Sequence, residues 1–440
     1  MAIRKSKSSS DQKEQHIRVV ELFAGVGGFH VGLEGVNFRG TRRKNNGFKV
    51  VWANQWEPPG TPKKQYAFDC YKKRFGKRIP AEDMVNEDLA VVLDEVEAGK
   101  RALPECEMLV GGFPCQDYSV ARPLPQARGI QGKKGILWWE IYRMLTLYGD
   151  NKPKYLLLEN VDRMLKSPKE QRGRDFAIML SCLASLGYSV EWRDVNAADY
   201  GNPQRRRRVF VYAELTDDKW DLRKRIVRDG VEAMALPVNT DNLTFSKFEI
   251  LSDPYEVSIT FGQDKATSPF LNAGAMQNCA VVTAKVQPKY SGKYQALGDA
   301  LIDEDDVPEE FFISENAIEK WKYHKGGKRI PRVNKTTGHE YIYAEGSMVF
   351  PDPVDRPART ILTSEGGGSA SRAKHAVATK PGKLRRLVPD ELDVLSGFPK
   401  GWTDTGMTDG QRAFCIGNAL VVDIVRRIGK EISRRHQAGE

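Results

Sequence analysis

The chain has 440 residues, 68 Lys and Arg against 58 Asp and Glu, and a formal charge of +10. A length at about 100–200 residues per domain predicts two or three domains, and 40% hydrophobic with 29% charged residues excludes a collagenous, coiled-coil or wholly disordered chain. No run approaches the ~18–20 apolar residues of a membrane helix, and the opening MAIRKSKSSSDQKEQH lacks the apolar core of a secretory signal. A soluble, cytoplasmic protein is expected.

The cysteines, Cys70, Cys106, Cys115, Cys182, Cys279 and Cys415, are scattered with no CxxC pair. That spacing predicts neither a zinc site nor a disulfide framework. All but Cys115 read as buried, small apolar groups.

Residues 1–16 read as a polar tail. From there IRVVELF (17–23), FKVVWAN (48–54), EMLVGGF (107–113), KYLLLENV (154–161), YSVEWRDV (188–195) and RVFVYAE (208–214) read as six strands. Their apolar runs lack strict alternation, which fits strands covered on both faces in a parallel sheet. LWWEIYRMLTLYG (137–149) and DFAIMLSCLASLG (175–187) read as helices. The expected fold class is α/β, a doubly wound, mostly parallel sheet. From 215 to 383 the rhythm dissolves into short strand candidates, prolines, glycines and charge blocks, which predicts a second, smaller, irregular and β-rich domain. Within it, residues 320–339 carry seven Lys and Arg and no acidic residue. Helical texture returns after 384, so the first domain is expected to be discontinuous, 17–214 with 384–440.

VELFAGVGGFHVGL (20–33) sets Gly25, Gly27 and Gly28 between a strand and a helix, a turn that lets a ligand approach the backbone closely. The G-x-G-G spacing fails the dinucleotide fingerprint, and it fits either a nucleotide-type ligand or an ordinary tight turn. Trp56, at the end of the next strand, can stack on an adenine or simply pack in the core, and Glu57 or Gln55 can reach ribose hydroxyls. In GGFPCQDYS (111–119) Cys115 falls at the carboxyl end of a strand, where open α/β sheets place ligands. Pro114 stiffens that turn, and the turn chemistry around Cys115 favours a nucleophile over a buried thiol. The Gly-, Pro- and Arg-rich residues that follow suit a lid.

In KYLLLENV, Glu159 comes after three leucines, so burial is expected to raise its pKa. It can donate a proton or anchor a ring nitrogen, or serve only as a cap or salt-bridge partner. In QRRRRVFVY (204–212), strand alternation puts Arg206 and Arg208 on one side and Arg205 and Arg207 on the other.

In this order the motifs resemble those of the cytosine-5 DNA methyltransferase family. ELFAGVGG, GGFPCQDYS, LLLENV, NPQRRRRVF, RPARTILTSEGG (356–367) and GNALVV (417–422) match its ordered motifs over roughly 17–213 and 356–430. The resemblance implies S-adenosylmethionine as cofactor, double-stranded DNA as partner, and methyl transfer to carbon 5 of a flipped-out cytosine in a specific sequence. It implies Cys115 as the nucleophile at carbon 6, Glu159 at nitrogen 3 and the amino group, and Arg208 and Arg206 as positioning groups for Glu159, the base or the thiolate. Cofactor contacts carry over to Phe23, Gly25, Val26, Gly28, Trp56, Asp88, Pro114, Leu137 and Asn418. Where the family usually has an acidic residue before the Trp, this chain has Gln55, with Glu57 following as the candidate substitute. No metal is implied.

The region 215–383 lies where the family keeps its target-recognition domain, and the basic stretch 320–339 suits phosphate contacts or a solvated loop. The resemblance further implies a monomer serving restriction–modification or anti-phage defence, with a cognate nuclease or other defence component as partner. A tRNA-methylating relative and a DNA-binding member that needs a partner are the alternatives. A nicotinamide oxidoreductase is disfavoured by the G-x-G-G spacing.

Overall fold

The computed structural model describes residues 3–4, 16–58, 65–113, 137–263, 266–334, 338–378 and 382–440. They form two compact units: residues 1–201, 206–292 and 420–440 in one, and 202–205 with 293–419 in the other. The sequence had placed the boundaries at 214 and 383. Residues 215–292 instead group with the first unit, because three of their strands extend its sheet, and residues 384–419, expected with the first domain, group with the second.

That sheet has ten strands. In chain order they are β1 (Ile17–Leu22), β2 (Phe48–Asn54), β3 (Met84–Val85), β4 (Met108–Gly112), β5 (Tyr155–Val161), β6 (Tyr188–Asn196), β7 (Arg207–Leu215), β8 (Phe245–Glu249), β9 (Ala273–Gln277) and β10 (Ala280–Ala284). Across the sheet the order is β8-β10-β9-β6-β7-β5-β4-β1-β2-β3. The five strands from β3 to β5 are mutually parallel, with helices in the crossovers between them: α1 (Gly28–Leu33), α2 (Tyr66–Phe75), α3 (Leu89–Glu97) and α4 (Leu137–Tyr148). Beyond β5 every neighbouring pair is antiparallel. The link from β6 to β7 holds only a short 3-10 turn at Ala197–Tyr200, too little chain for the crossover a parallel pair needs.

The parallel strands are apolar on both faces because both are covered: Val19, Val20, Leu22, Met108, Leu109, Val110, Leu156, Leu157 and Leu158 are all buried. The helix α5 (Arg174–Ser185) is buried along most of its length. A C-terminal helix, Val422–Ala438, buries Val422, Val425, Ile428 and Ile432, one stripe at helical spacing. It lies close to α1, since a Cβ on Gly32 would come within 2.7 Å of Val425 Cγ1.

The strands β9 and β10 meet at Asn278 and Cys279, both left-handed at φ 49° and 66°, as the tightest hairpin turn requires. Cys279 is therefore a partly exposed turn residue rather than a buried one; Cys70, Cys106, Cys182 and Cys415 are buried. Burial pushes the Cys106 and Cys182 thiols up to about 12, far from a reactive thiolate.

In the second unit, residues 202–205 form a strap. The Arg205 N–H donates to the Ala358 carbonyl and the Ala358 N–H to the Pro203 carbonyl, both at 2.8 Å. The rest is built of short helices and two-stranded sheets, among them the ribbon of β11 (Lys328–Val333) and β12 (Glu340–Glu345). Among the described residues no helix is long and apolar enough to cross a membrane.

Candidate active site

The Gly-rich turn leaves the carboxyl end of β1. Phe23, Gly25 and Gly27 are all left-handed, at φ 53°, 55° and 90°. For a bulky residue such as Phe23 this conformation is costly and marks a loop whose shape is imposed by its surroundings. Gly27 has no alternative, because a Cβ there would stand 2.3 Å from Phe75 Cε2. On Gly25, by contrast, a Cβ would meet nothing within 4 Å among the described residues, which leave that face of the turn open. The turn is tied to the end of β2: the Ala24 N–H donates to the Asn54 carbonyl at 3.0 Å and the Gly25 N–H to Gln55 Oε1 at 2.7 Å. Val26 is buried, and a Cβ on Gly28 would lie 2.9 Å from Leu420 Cγ, which sets the first and last motifs side by side.

Beyond β2, Trp56 and Glu57 are half-buried. Gln65 clamps Glu57 through its backbone, with Oε1 accepting from the Glu57 N–H at 2.7 Å and Nε2 donating to its carbonyl at 3.0 Å. Burial raises the Glu57 carboxyl pKa. Asp88 caps α3, its Oδ1 accepting from the Ala90 N–H at 3.0 Å. Leu137 opens α4, half-buried against the core. Asn418 lies in the second unit, exposed at the end of the helix Asp409–Asn418. Pro114, Cys115 and the expected lid at 116–135 lie outside the described residues.

Glu159 and the Gly-rich turn lie toward the carboxyl ends of β5 and β1, on either side of β4. A Cβ on Gly111 would be 3.6 Å from the Phe23 ring, and one on its neighbour Gly112 would be 3.2 Å from Glu159 Oε2. The absence of side chains at the end of β4 thus makes room for the Gly-rich turn on one side and the Glu159 carboxylate on the other.

Glu159 pairs with Arg208, Nε to Oε1 at 2.8 Å, and keeps only 12% of its side chain exposed. Burial raises its pKa, opposed by the charges of Arg208 and Arg206. Arg206 is itself buried. Burial and the neighbouring Arg208 lower its pKa to about 9, which leaves it charged at neutral pH. The alternation expected from the sequence is present, for Arg205 and Arg207 are exposed and Arg207 pairs instead with Asp194 at 2.9 Å. A buried carboxyl with a raised pKa, oriented by a guanidinium, is equipped to hold a proton against a ring nitrogen.

Two motif residues have roles that the sequence left unassigned. Asn160, buried, donates from Nδ2 to the Phe113 carbonyl at 2.9 Å, on the residue just before Pro114. Gln204, fully buried in the second unit, donates from Nε2 to the Leu395 carbonyl and Ser396 Oγ, both at 3.2 Å, and accepts the Ile361 N–H at 3.0 Å. Asn160 ends an apolar strand, a signal that marks it as buried but does not name its partner, whereas Gln204, beside four arginines, carries no such local signal.

Comparison with known proteins identifies the family. Residues 17–434 match the family model described as C-5 cytosine-specific DNA methylase. The Type II methyltransferase M.Sau3AI of Staphylococcus aureus is 46% identical over 427 residues, 95% of this chain and 96% of its own. The Type II methyltransferase M.HhaI of Haemophilus parahaemolyticus is 27% identical over 207 residues, 47% of this chain and 52% of its own. Among solved structures, the Entamoeba histolytica methyltransferase EhMeth aligns with a TM-score of 0.54 over 98% of this chain and 100% of its own, and the S. pombe Dnmt2 methyltransferase with 0.55 over 97% and 100%. Each is 16% identical, a likeness of fold alone.

Proposed function

This chain belongs to the C-5 cytosine-specific DNA methylase family and is a DNA (cytosine-5-)-methyltransferase; from that premise we propose that it methylates carbon 5 of a cytosine turned out of duplex DNA, through a covalent Cys115 adduct and with S-adenosylmethionine as donor. The observation that carries the reading is the Glu159–Arg208 pair at 2.8 Å, on the sheet edge that also bears the Gly-rich turn.

The residues present fit the cofactor. The open face at Gly25 leaves space against the backbone, and half-buried Trp56 and Glu57 stand at the end of the adjoining strand. Phe23, Gly25, Val26, Gly28, Trp56, Glu57, Asp88, Pro114 and Leu137 would hold it. Bound there, it supplies an electrophilic methyl group. Gln55 has its oxygen committed to Gly25, which leaves Glu57 as the carboxylate available for ribose hydroxyls.

Carbon 5 of cytosine is a poor nucleophile until a thiolate adds to the ring. The Cys115 sulfur forms a bond to carbon 6 while Glu159 gives its proton to nitrogen 3, and the electron pair released into the ring makes carbon 5 nucleophilic. Arg208 fixes the Glu159 carboxyl for this transfer, and Arg206 keeps the region positive for the thiolate. Once carbon 5 has been methylated and its proton lost, the electrons return, the carbon–sulfur bond breaks and nitrogen 3 gives its proton back to Glu159. Carbon 6 is inaccessible inside a duplex, so the cytosine must leave the stack, at a cost of roughly a few kcal/mol.

The Type II designation of the relatives fits a restriction–modification or defence role; a cytoplasmic monomer acting beside a cognate nuclease completes the proposal. Base-resolution cytosine-conversion sequencing of DNA from cells that express the chain, beside a Cys115→Ser control, tests the reading. Protected cytosines in one short recurring context, absent from the control, are expected. Equal protection in the control would refute the Cys115 adduct. Label from S-adenosylmethionine entering RNA but not DNA would move the substrate to RNA.

A further inference from the structure

The ribbon of β11 and β12 in the second unit is built inside out. Its register pairs Lys328 with Glu345, Ile330 with Tyr343 and Arg332 with Tyr341 on one face, and Arg329 with Ala344, Pro331 with Ile342 and Val333 with Glu340 on the other. The first face satisfies itself. Lys328 and Arg372 approach Glu345 at 3.9 and 3.6 Å, Tyr343 donates to Glu345, and the Arg332 guanidinium lies 3.8 Å from the Tyr343 ring centre. The second face is exposed at all six positions, and four of the six are apolar. Val333 is 56% and Ile342 60% exposed.

An antiparallel pair ordinarily buries its apolar face and wets its polar one. Here the face with the aliphatic side chains is the uncovered one, and the Glu345 contacts on the opposite face favour the observed register. Such a face asks for a partner. The surrounding charge says which: apart from the buried Lys325, residues 320–345 hold six Lys and Arg against two Glu, so the partner is a polyanion that also offers apolar contact. Duplex DNA does so in its major groove, where thymine methyls project among hydrogen-bonding base edges. That groove, about 12 Å wide, admits a two-stranded ribbon with strands about 4.8 Å apart.

We propose that the outer face of this ribbon, with Val333, Ile342 and Pro331 as apolar contacts and Arg329 at its flank, enters the DNA major groove and determines which sequence is methylated. The proposal rests on DNA being the substrate. It names residues for a property that neither the family match nor the relatives' names assign to any position.

The test uses the full-length protein. Amide hydrogen exchange is followed across residues 328–345 with and without a saturating pool of mixed-sequence duplexes. At least tenfold slower exchange in the ribbon is expected with DNA, and unchanged exchange while the duplex is bound would overturn the proposal. Slowing that grows with protein concentration in the absence of DNA would also overturn it, since the face would then join two copies of the chain. Both readouts are independent of methyl transfer, so they stand or fall separately from the catalytic reading.

In parallel, Val333→Thr and Ile342→Thr keep β-branched side chains on exposed positions and should leave the melting temperature unchanged. Their preference for the wild-type context over contexts one base pair away, measured by conversion sequencing or, without transfer, by competition binding, should fall roughly tenfold. An unchanged preference in the double variant would remove the ribbon from sequence reading.

Discussion

The buried amide of Asn160 donates to the Phe113 carbonyl at 2.9 Å, while its own oxygen accepts the Val161 N–H at 2.8 Å. One end of the side chain thus ties the end of β4, just before Pro114 and Cys115 in the chain, to β5, while the other fixes the amide on its own strand. Asn160→Leu keeps the branched outline of the side chain and leaves a buried carbonyl without its donor, at a cost of about 1–3 kcal/mol. Methyl transfer in a single turnover should fall at least tenfold, beyond what lost stability explains, with cofactor affinity little changed. A variant destabilised in urea yet transferring at the wild-type rate would make Asn160 a purely structural clamp.

The pairing of Arg208 with Glu159 makes a statement about pH. Burial raises the Glu159 pKa, and Arg208 is the first of the charges that hold it down. Arg208→Gln removes that restraint, so the carboxyl keeps its proton to higher pH. The alkaline limb of kcat/KM against pH should move upward, and kcat should fall roughly 10–100-fold through lost orientation. Glu159→Gln should remove the limb altogether. A limb at the same pH in wild type and Arg208→Gln would assign it to another group.

Much of this edge was legible because its signals are local. The Gly-rich turn, a carboxylate ending an apolar strand, and the alternation that buries Arg206 while exposing Arg205 and Arg207 need only neighbouring residues and a strand period. What escaped depends on residues far apart in the chain. The strands β8, β9 and β10 are five residues each, and β8 is mostly exposed, so neither length nor alternation announces them. The seat of β9 is set by Trp192, whose ring would lie 2.0 Å from a Cβ on Gly274, a fit that no local pattern encodes. Asp88 shows the reverse case: its place before α3 made a cap available, and the cap is what its oxygen accepts.

Gln55 takes the place of the usual acidic residue, and its contact with the Gly25 N–H at 2.7 Å gives that replacement a structural job. A neutral oxygen suffices to hold a backbone donor in the turn. Gln55→Ala releases the turn and should weaken S-adenosylmethionine binding roughly tenfold by calorimetry, about the worth of one such bond. Gln55→Glu restores an acceptor and should bind as well as wild type or better. Glu57→Gln should weaken binding if Glu57 supplies the ribose contact; a loss confined to Gln55→Ala would leave Glu57 outside the pocket.

Directly behind the turn, Glu21 is fully buried, accepting from the Tyr71 hydroxyl at 2.8 Å, and Tyr71 in turn meets His30 Nδ1 at 2.9 Å. Burial pushes the Glu21 carboxyl up to about 8. Between the ordinary carboxyl range and pH 8 the folded chain therefore holds a proton that the unfolded chain has released. Stability from this group is complete below pH ~4.5 and is lost as pH climbs toward 8, by up to about 1.4 kcal/mol per unit. His30, whose pKa burial lowers from 6.5, works in the opposite sense but only below about pH 6.5, where the unfolded chain would protonate it. The window from 6.5 to 8 thus separates Glu21 from His30, and comparison with a variant at Glu21 cancels the other buried groups that titrate there, Lys325 among them. Glu21→Gln mimics the protonated acid and still accepts from Tyr71, so it should be more stable than wild type at pH 8 and lose less stability between 6.5 and 8. Urea midpoints for both proteins across that window decide it, and parallel curves would mean that Glu21 is ionised in the folded chain and that the Tyr71 hydroxyl carries its charge.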